Sequence, residues 1–177
     1  MSIFDGHRLL LTMKIRPATP DDLPAIMDVM DAARSIMRAS GNLHQWADGY
    51  PPKERIVADI ACGGGYVIEA DDARLAGYFA FLPSPEPTYS AIYDGSWLVD
   101  TAPYHVIHRI ASRPDVHGIF AAMLDYCSSL EPNIRIDTHR DNLIMQHLLA
   151  KHGFSYCGII YLASGDERLA YQRIIRG

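Results

Sequence analysis

The sequence predicts an α/β fold in which one mixed β-sheet is covered by helices, and three observations carry that prediction. Stretches dense in β-branched and aromatic residues alternate along the chain with stretches whose apolar residues recur at three- and four-residue spacing. Their order is β-α-α-β-β-β-α-β-α-β-β. No internal repeat and no shift in composition marks a linker, so the 177 residues read as one domain, large enough to bury a core without disulfides or metals.

Lys14 to Ala18 reads as the first strand. Thr19-Pro20-Asp21-Asp22 is a cap-like polar start with acidic residues suited to the positive end of a helix. Leu23, Ile26, Met27, Met30 and Ala33 then give an apolar helical face that runs to about Arg38 and stops at Ser40-Gly41-Asn42. After the Gly49-Tyr50-Pro51-Pro52 turn, a second helix spans Lys53 to Ala61 and closes at the glycines that follow. Tyr66 to Glu69 and Leu75 to Phe81 form a hairpin around Asp71-Asp72. Prolines 83, 85 and 87 end it, and the aromatic, turn-rich stretch from Ser84 to Pro103 reads as a long ordered loop of the kind that holds substrate. Tyr104 to Ser112 is the next strand, and Gly118 to Leu130 a helix with Ile119, Phe120, Met123, Leu124 and Cys127 inward. Strand Asn133 to His139, helix Asn142 to His152 and strands Phe154 to Leu162 and Arg168 to Ile175 complete the order.

Composition narrows the function. Hydrophobic residues make up 49% and charged residues 21%, as in ordinary globular chains, and the net charge of −5 argues against a nucleic-acid binder. Three widely spaced cysteines without a C-x-x-C pair read as reduced thiols, which points to the cytoplasm. The apolar patch Leu9 to Leu11 is too short for a signal core or a membrane span. Residues 1–12 are expected to form a disordered N-terminal extension, or to precede a start at Met13, with the domain proper spanning 13–177.

The junction HRIASRPDVHGIFAAML joins a strand to a helix, where free N–H groups can bind an anion and a glycine admits a phosphate close to backbone. Taken alone, Gly118 reads more simply as the start of a helix. With IRIDTHRDN and NLIMQHLLAKHGFSYCG following in order, however, the chain from Lys14 to Ile175 resembles the GNAT acetyltransferases. Gln45 to Pro51, Glu86 to Tyr89 and Gly95 to Trp97 further resemble a bacterial subgroup of that family with undefined substrate. The resemblance implies a mostly antiparallel mixed sheet, splayed at the cofactor site and flanked by helices on both faces. It also implies acetyl-CoA as co-substrate and no metal.

In the family the pyrophosphate motif is Q/R-x-x-G-x-G/A; here it falls on Asp115 to Phe120, with Gly118 matching and Asp115 and Phe120 departing. Cofactor contacts are accordingly expected from Ile110, Ala111, Ser112, Val116, His117, Gly118, Ile119, Phe120 and Ala121, with Asn142 and Met145 along the pantetheine arm. Arg113 or His117 would supply the positive charge missing from the motif. Asn142 is also a good helix cap, and the two roles are compatible. Many members carry a tyrosine as general acid where this chain has Leu149. Transfer would then rest on backbone amides of Ile110 and Ala111 polarising the thioester, with His108 as base and His139 and Glu69 in reserve. Trp46, Tyr50 and Trp97 are the expected acceptor-binding aromatics, although each could equally pin a loop. A zinc reading of His105-x-x-His108 with His117 is weak, because residues three apart on a strand point to opposite faces and could share a metal only across a bulge. His147 and His152, five apart, do not share a helix face either.

Two functions therefore remain: transfer of acetyl from acetyl-CoA to a primary amine of a small molecule or peptide in a ternary complex, or a GNAT-fold sensor or interaction module without turnover. Neither needs nucleic acid or membrane as a partner, and a homodimer through a sheet edge stays open.

Overall fold

The computed structural model describes residues 13–175; the expected extension at 1–12 lies outside them. Strands β1 (Lys14–Pro17), β2 (Gly65–Glu69), β3 (Leu75–Pro83), β4 (His105–Ser112), β5 (Asn133–Thr138), β6 (Ser155–Tyr161) and β7 (Glu167–Ile174) form one seven-stranded sheet in the order β1-β2-β3-β4-β5-β7-β6. Helices α1 (Leu23–Ala39), α2 (Lys53–Ala61), α3 (Ile119–Leu130) and α4 (Leu143–Lys151) complete the fold. None of the described helices is long and apolar enough to cross a membrane.

The strand alternation sorts residues onto two faces. Val67 and Tyr78 pack with Ile26, Val29, Met30 and Ala33 of α1 and Ile56 of α2. Their neighbours Ile68 and Phe79 point the other way, into a core shared with Ile119, Met123, Leu124 and Cys127 of α3 and Leu149 of α4. The Ser84 to Pro103 stretch is ordered around a third cluster, in which Tyr89, Trp97 and Tyr104 pack on Val106, Ile160 and Ala170. It contains a 3-10 turn at Pro87–Tyr89 and a single bridge from Tyr93 to Ile159, not a strand.

Boundaries follow local chemistry. A 3-10 turn at Pro20–Asp22 precedes α1, because the Asp22 carboxylate is taken by the Thr19 amide at 2.7 Å and by Arg16 at 2.8 Å. Asn142 caps α4 by accepting from the Met145 amide at 3.0 Å, so the helix proper begins one residue later than the sequence pattern suggests.

Two irregularities shape the centre of the sheet. All neighbouring strands pair antiparallel except β4 and β5, whose parallel ladder holds only His105 to Ile134 and Val106 to Arg135. Beyond Val106 the two strands part. On the other side of β4 the register with β3 shifts between Tyr78 and Ala80, and Arg109 takes a left-handed backbone conformation, φ 54°, as the extra residue of a β-bulge. A non-glycine residue held there is strained and needs support. It has it: Arg109 makes a bidentate ion pair with buried Asp59, both contacts 2.7 Å, and Asp59 also accepts from the Tyr78 hydroxyl at 3.0 Å.

Candidate active site

Where β4 and β5 part, two cavities meet. The larger, about 530 Å³, is lined by β4 from Ile107 to Ile110, Ile136 and Asp137 of β5, the 44–50 segment, Glu86 and Arg168. The smaller, about 120 Å³, runs between α1 and α4 and is walled by Ala33, Ile36, Ile110, Ile119, Phe120 and Leu148 among others. Met37, Ile110, Asn142 and Met145 line both. The first is rich in charge and the second is mainly apolar.

His108 is the central polar group of the larger cavity. Its Nε2 lies 3.2 Å from Glu86 Oε2 and its Nδ1 lies 3.9 Å from Asp137 Oδ2. Glu86 is held by Thr88, whose amide and hydroxyl donate to Oε1 at 3.3 and 3.0 Å. Asp137 accepts from the Tyr89 hydroxyl at 2.7 Å, and Tyr89 in turn receives the Trp97 indole N–H on its carbonyl at 3.1 Å. The hydrogen bond from His108 holds the Glu86 carboxyl down at about 2, against the opposing effect of burial. Burial, then the neighbouring Asp137 charge, pushes the Tyr89 phenol far up, so it remains a donor. A carboxylate accepts only, so Glu86 fixes a proton on Nε2, and Nδ1 is the ring nitrogen turned toward Asp137.

The Gln45 side chain joins the 44–50 segment to the cavity floor. Gln45 Oε1 accepts from Asn142 at 2.8 Å, Asn42 at 3.1 Å and Thr138 at 3.3 Å. Asn142 thus spends its oxygen on the α4 cap and its nitrogen on Gln45, and its side chain is a structural brace at the wall of both cavities. Trp46 is 8% exposed, lines the larger cavity and packs edge-on to Tyr50, whose ring is at the rim. Trp97 is placed differently from the sequence expectation. It is 6% exposed, lines neither cavity and lies beneath Tyr89, with the Arg135 guanidinium 3.9 Å over its ring. Its direction could not be read from the sequence, because both a loop anchor and a substrate wall favour tryptophan.

The reserve bases separate. Glu69 pairs with Arg16 at 2.7 Å between β1 and β2 and lines neither cavity. His139 sits near the mouth with His44 and Asp141, their candidate ligand atoms within 4.8 Å of one another, but its Nδ1 already accepts the Asp141 amide at 3.1 Å. Burial, then the Arg168 charge, lowers the His139 pKa.

At the start of α3, Gly118 is left-handed, φ 81°, and an added Cβ would meet only Met13 Cε at 3.8 Å. Among the described residues the amides from His117 to Ala121 have no acceptor, and the first bond of the helix is Ala122 N–H to Gly118 O at 3.1 Å. The two departures from the family motif are both accommodated. Asp115 is paired with Arg74 at 2.8 Å, which lowers its pKa, and the Phe120 ring is buried in the α3 core beside His152. Arg113 directs its Nε to the Leu75 carbonyl at 2.9 Å, while His117 stays exposed. Leu149 is fully buried in the core and lines neither cavity; Leu148 does.

The amides of β4 divide by alternation. Arg113 N–H donates to Ala76 O across the β3 ladder, so Ala111, two residues back, also faces β3, whereas Ile110 and Ser112 face the gap toward β5. Of the two amides expected to polarise a thioester, only that of Ile110 is aimed there.

A sheet parted between parallel neighbours, with a groove and a polar chamber meeting at the parting, is what the resemblance to the GNAT acetyltransferases implied. Among solved structures the chain is similar to a GNAT-family acetyltransferase from Streptococcus agalactiae, 38% identical over 93% of this chain and 96% of that one, with a TM-score of 0.84. A GNAT-family acetyltransferase from Listeria monocytogenes, 21% identical over 92% of this chain and 95% of that one, shares the fold with a TM-score of 0.70. No protein-family model and no curated protein matches. The chain belongs to the GNAT family of acetyltransferases.

Sequence reasoning missed Glu86 and Asp137 as partners of His108, and Arg109 and Arg168 in the same cavity. The one signal available was polar residues interrupting apolar strands, as in Ile134-Arg135-Ile136-Asp137.

Proposed function

We propose that the chain moves the acetyl group of acetyl-CoA to a primary amine bound in the larger cavity, by direct attack while both are bound. The junction of the two cavities supports this most. Ile110, Asn142 and Met145 wall both, so a pantetheine arm laid in the narrow groove would end at the chamber that holds His108.

When bound, acetyl-CoA supplies the activated acyl carbon, and the chain supplies grip, polarisation and a base. The amides of His117 to Ala121, unpaired among the described residues, suit a diphosphate at the positive end of α3. The Ile110 amide suits the carbonyl oxygen as negative charge builds on it. Neutral His108 takes a proton from the incoming ammonium on Nδ1, and the imidazolium so formed lies between Asp137 and Glu86. Leu149 offers no proton, so the departing thiolate receives one from that imidazolium or from water, while the second proton of the attacking nitrogen passes to His108 or to water as the amide forms.

Calorimetry with acetyl-CoA, paired with a thiol-release assay over an amine panel, tests the reading. Gly118→Glu, which has room for its Cβ but strains a left-handed backbone and puts a carboxylate in the amide cradle, should weaken binding on the order of tenfold or more. His108→Gln should keep binding and lose roughly 10²- to 10⁴-fold in kcat. Undiminished binding by the first variant or undiminished turnover by the second would sink the assignment, and binding without turnover in the parent would favour a sensor.

A further inference from the structure

Among the described residues three charged residues are buried: Asp59, Arg135 and Arg168, at 3%, 1% and 5% exposure. A buried charge is costly unless it is paired, so each should have a partner. Asp59 has Arg109 at 2.7 Å. Arg135 lies 3.9 Å and 3.8 Å over the rings of Trp97 and Tyr104 and 3.4 Å from Asp100. Arg168 has neither. Its Nη1 donates to the Glu167 carbonyl at 2.8 Å and its Nη2 reaches the Gln45 carbonyl at 3.5 Å. Among the described residues no carboxylate lies within ion-pair distance of it, and no ring face covers it.

Arg168 also lines the larger cavity, on β7, while Glu86, His108 and Asp137 line it from the 84–103 segment and from β4 and β5. The acids nearest Arg168 in sequence are committed elsewhere: Glu167 to Arg140, and exposed Asp166 to the Ser164 hydroxyl at 2.8 Å. The chamber therefore carries a buried cation that has no counter-ion among the described residues and, elsewhere on its wall, two carboxylates around a histidine. An amine alone would satisfy the carboxylates and leave the guanidinium uncompensated. A molecule with both charges satisfies the two together.

We infer that the acceptor is a free amino acid, its carboxylate docked on Arg168 and its amine presented to His108. The inference rests on the acetyl-transfer reading and adds the substrate class. A volume of about 530 Å³ suits such a molecule, since small-ligand pockets run from roughly 300 to 1,000 Å³. A guanidinium fork binds a carboxylate through two parallel hydrogen bonds, so lysine substitutes for it only in part.

The test compares the twenty L-amino acids and γ-aminobutyrate with their carboxamides and decarboxylated amines, at saturating acetyl-CoA, by thiol release. At least one amino acid should exceed its carboxamide in kcat/KM by on the order of 10- to 100-fold. In Arg168→Met that ratio should collapse toward one, mainly through KM, and Arg168→Lys should restore part of it. Arg168→Met should melt no lower than the parent, because it removes an unpaired buried charge, and this shows that the variant is folded. Equal use of amides and acids, or an unchanged ratio in Arg168→Met, overturns the inference and leaves acetyl transfer standing. Acetyl-CoA binding with no turnover of any probe, and no rise in melting temperature with any amino acid, also overturns it. Failure to bind acetyl-CoA at all removes the acetyl-transfer reading and this inference with it.

Discussion

Replacing Asp59 by alanine tests the claim that a buried ion pair holds the bulge beside His108. Asp59 and Arg109 side chains are 4% and 7% exposed and meet through two contacts of 2.7 Å, with the Tyr78 hydroxyl as a third partner. Removing one member of such a pair leaves the other charged and dry, which costs about 3–5 kcal/mol. For a chain of this size each kcal/mol moves the Tm by about 2–4 °C, so the expected fall is about 6–20 °C. Differential scanning calorimetry reads it directly. The double variant Asp59→Leu with Arg109→Met removes both charges and should recover most of the loss, since the cost lies in the orphaned partner more than in the missing attraction. A fall of less than about 3 °C for Asp59→Ala would show that water reaches Arg109 and that the pair does not anchor the bulge. Additive losses in the double variant would refute the coupling.

Two further outcomes follow from the same geometry. Glu86 is held down from its ordinary 4.5 to about 2 by His108, so its contribution is present above about pH 4.5 and is lost as pH falls toward 2. Acid unfolding followed by near-ultraviolet circular dichroism should therefore be flatter across that window in Glu86→Gln, and an unchanged profile would count against the His108 contact. Trp97→Ala should lower stability by about 3–5 kcal/mol, because it opens the cluster under Tyr89 and uncovers Arg135. Urea denaturation measures that loss, and a full-stability variant with a raised KM would instead put Trp97 at the acceptor.

What could be read from the sequence was local. The α1 stripe of Ile26, Met30 and Ala33, the Asn142 cap and the helix start at Gly118 each follow from a rule that acts within a few residues, and the strand and helix order rests on such rules. The site does not. Its bulge sits on Arg109, an arginine in a conformation that sequence rules assign to glycine, because its support comes from Asp59, fifty positions away in the chain. Asp137 acquires meaning only once β5 parts from β4, and Trp97 only once Arg135 lies across it. Position 149 illustrates the reverse case: a leucine there is legible as a missing tyrosine, and the structure adds that it serves the core.

The two-rung ladder between β4 and β5 has a consequence for how the molecule yields. It leaves the sheet as two halves fastened by His105–Ile134 and Val106–Arg135 and by the helices packed across them. The parting of the sheet thus coincides with the candidate site. Any compound that touches both banks becomes a temporary rivet, so occupancy should register as resistance to heat and to proteases before a single turnover is measured.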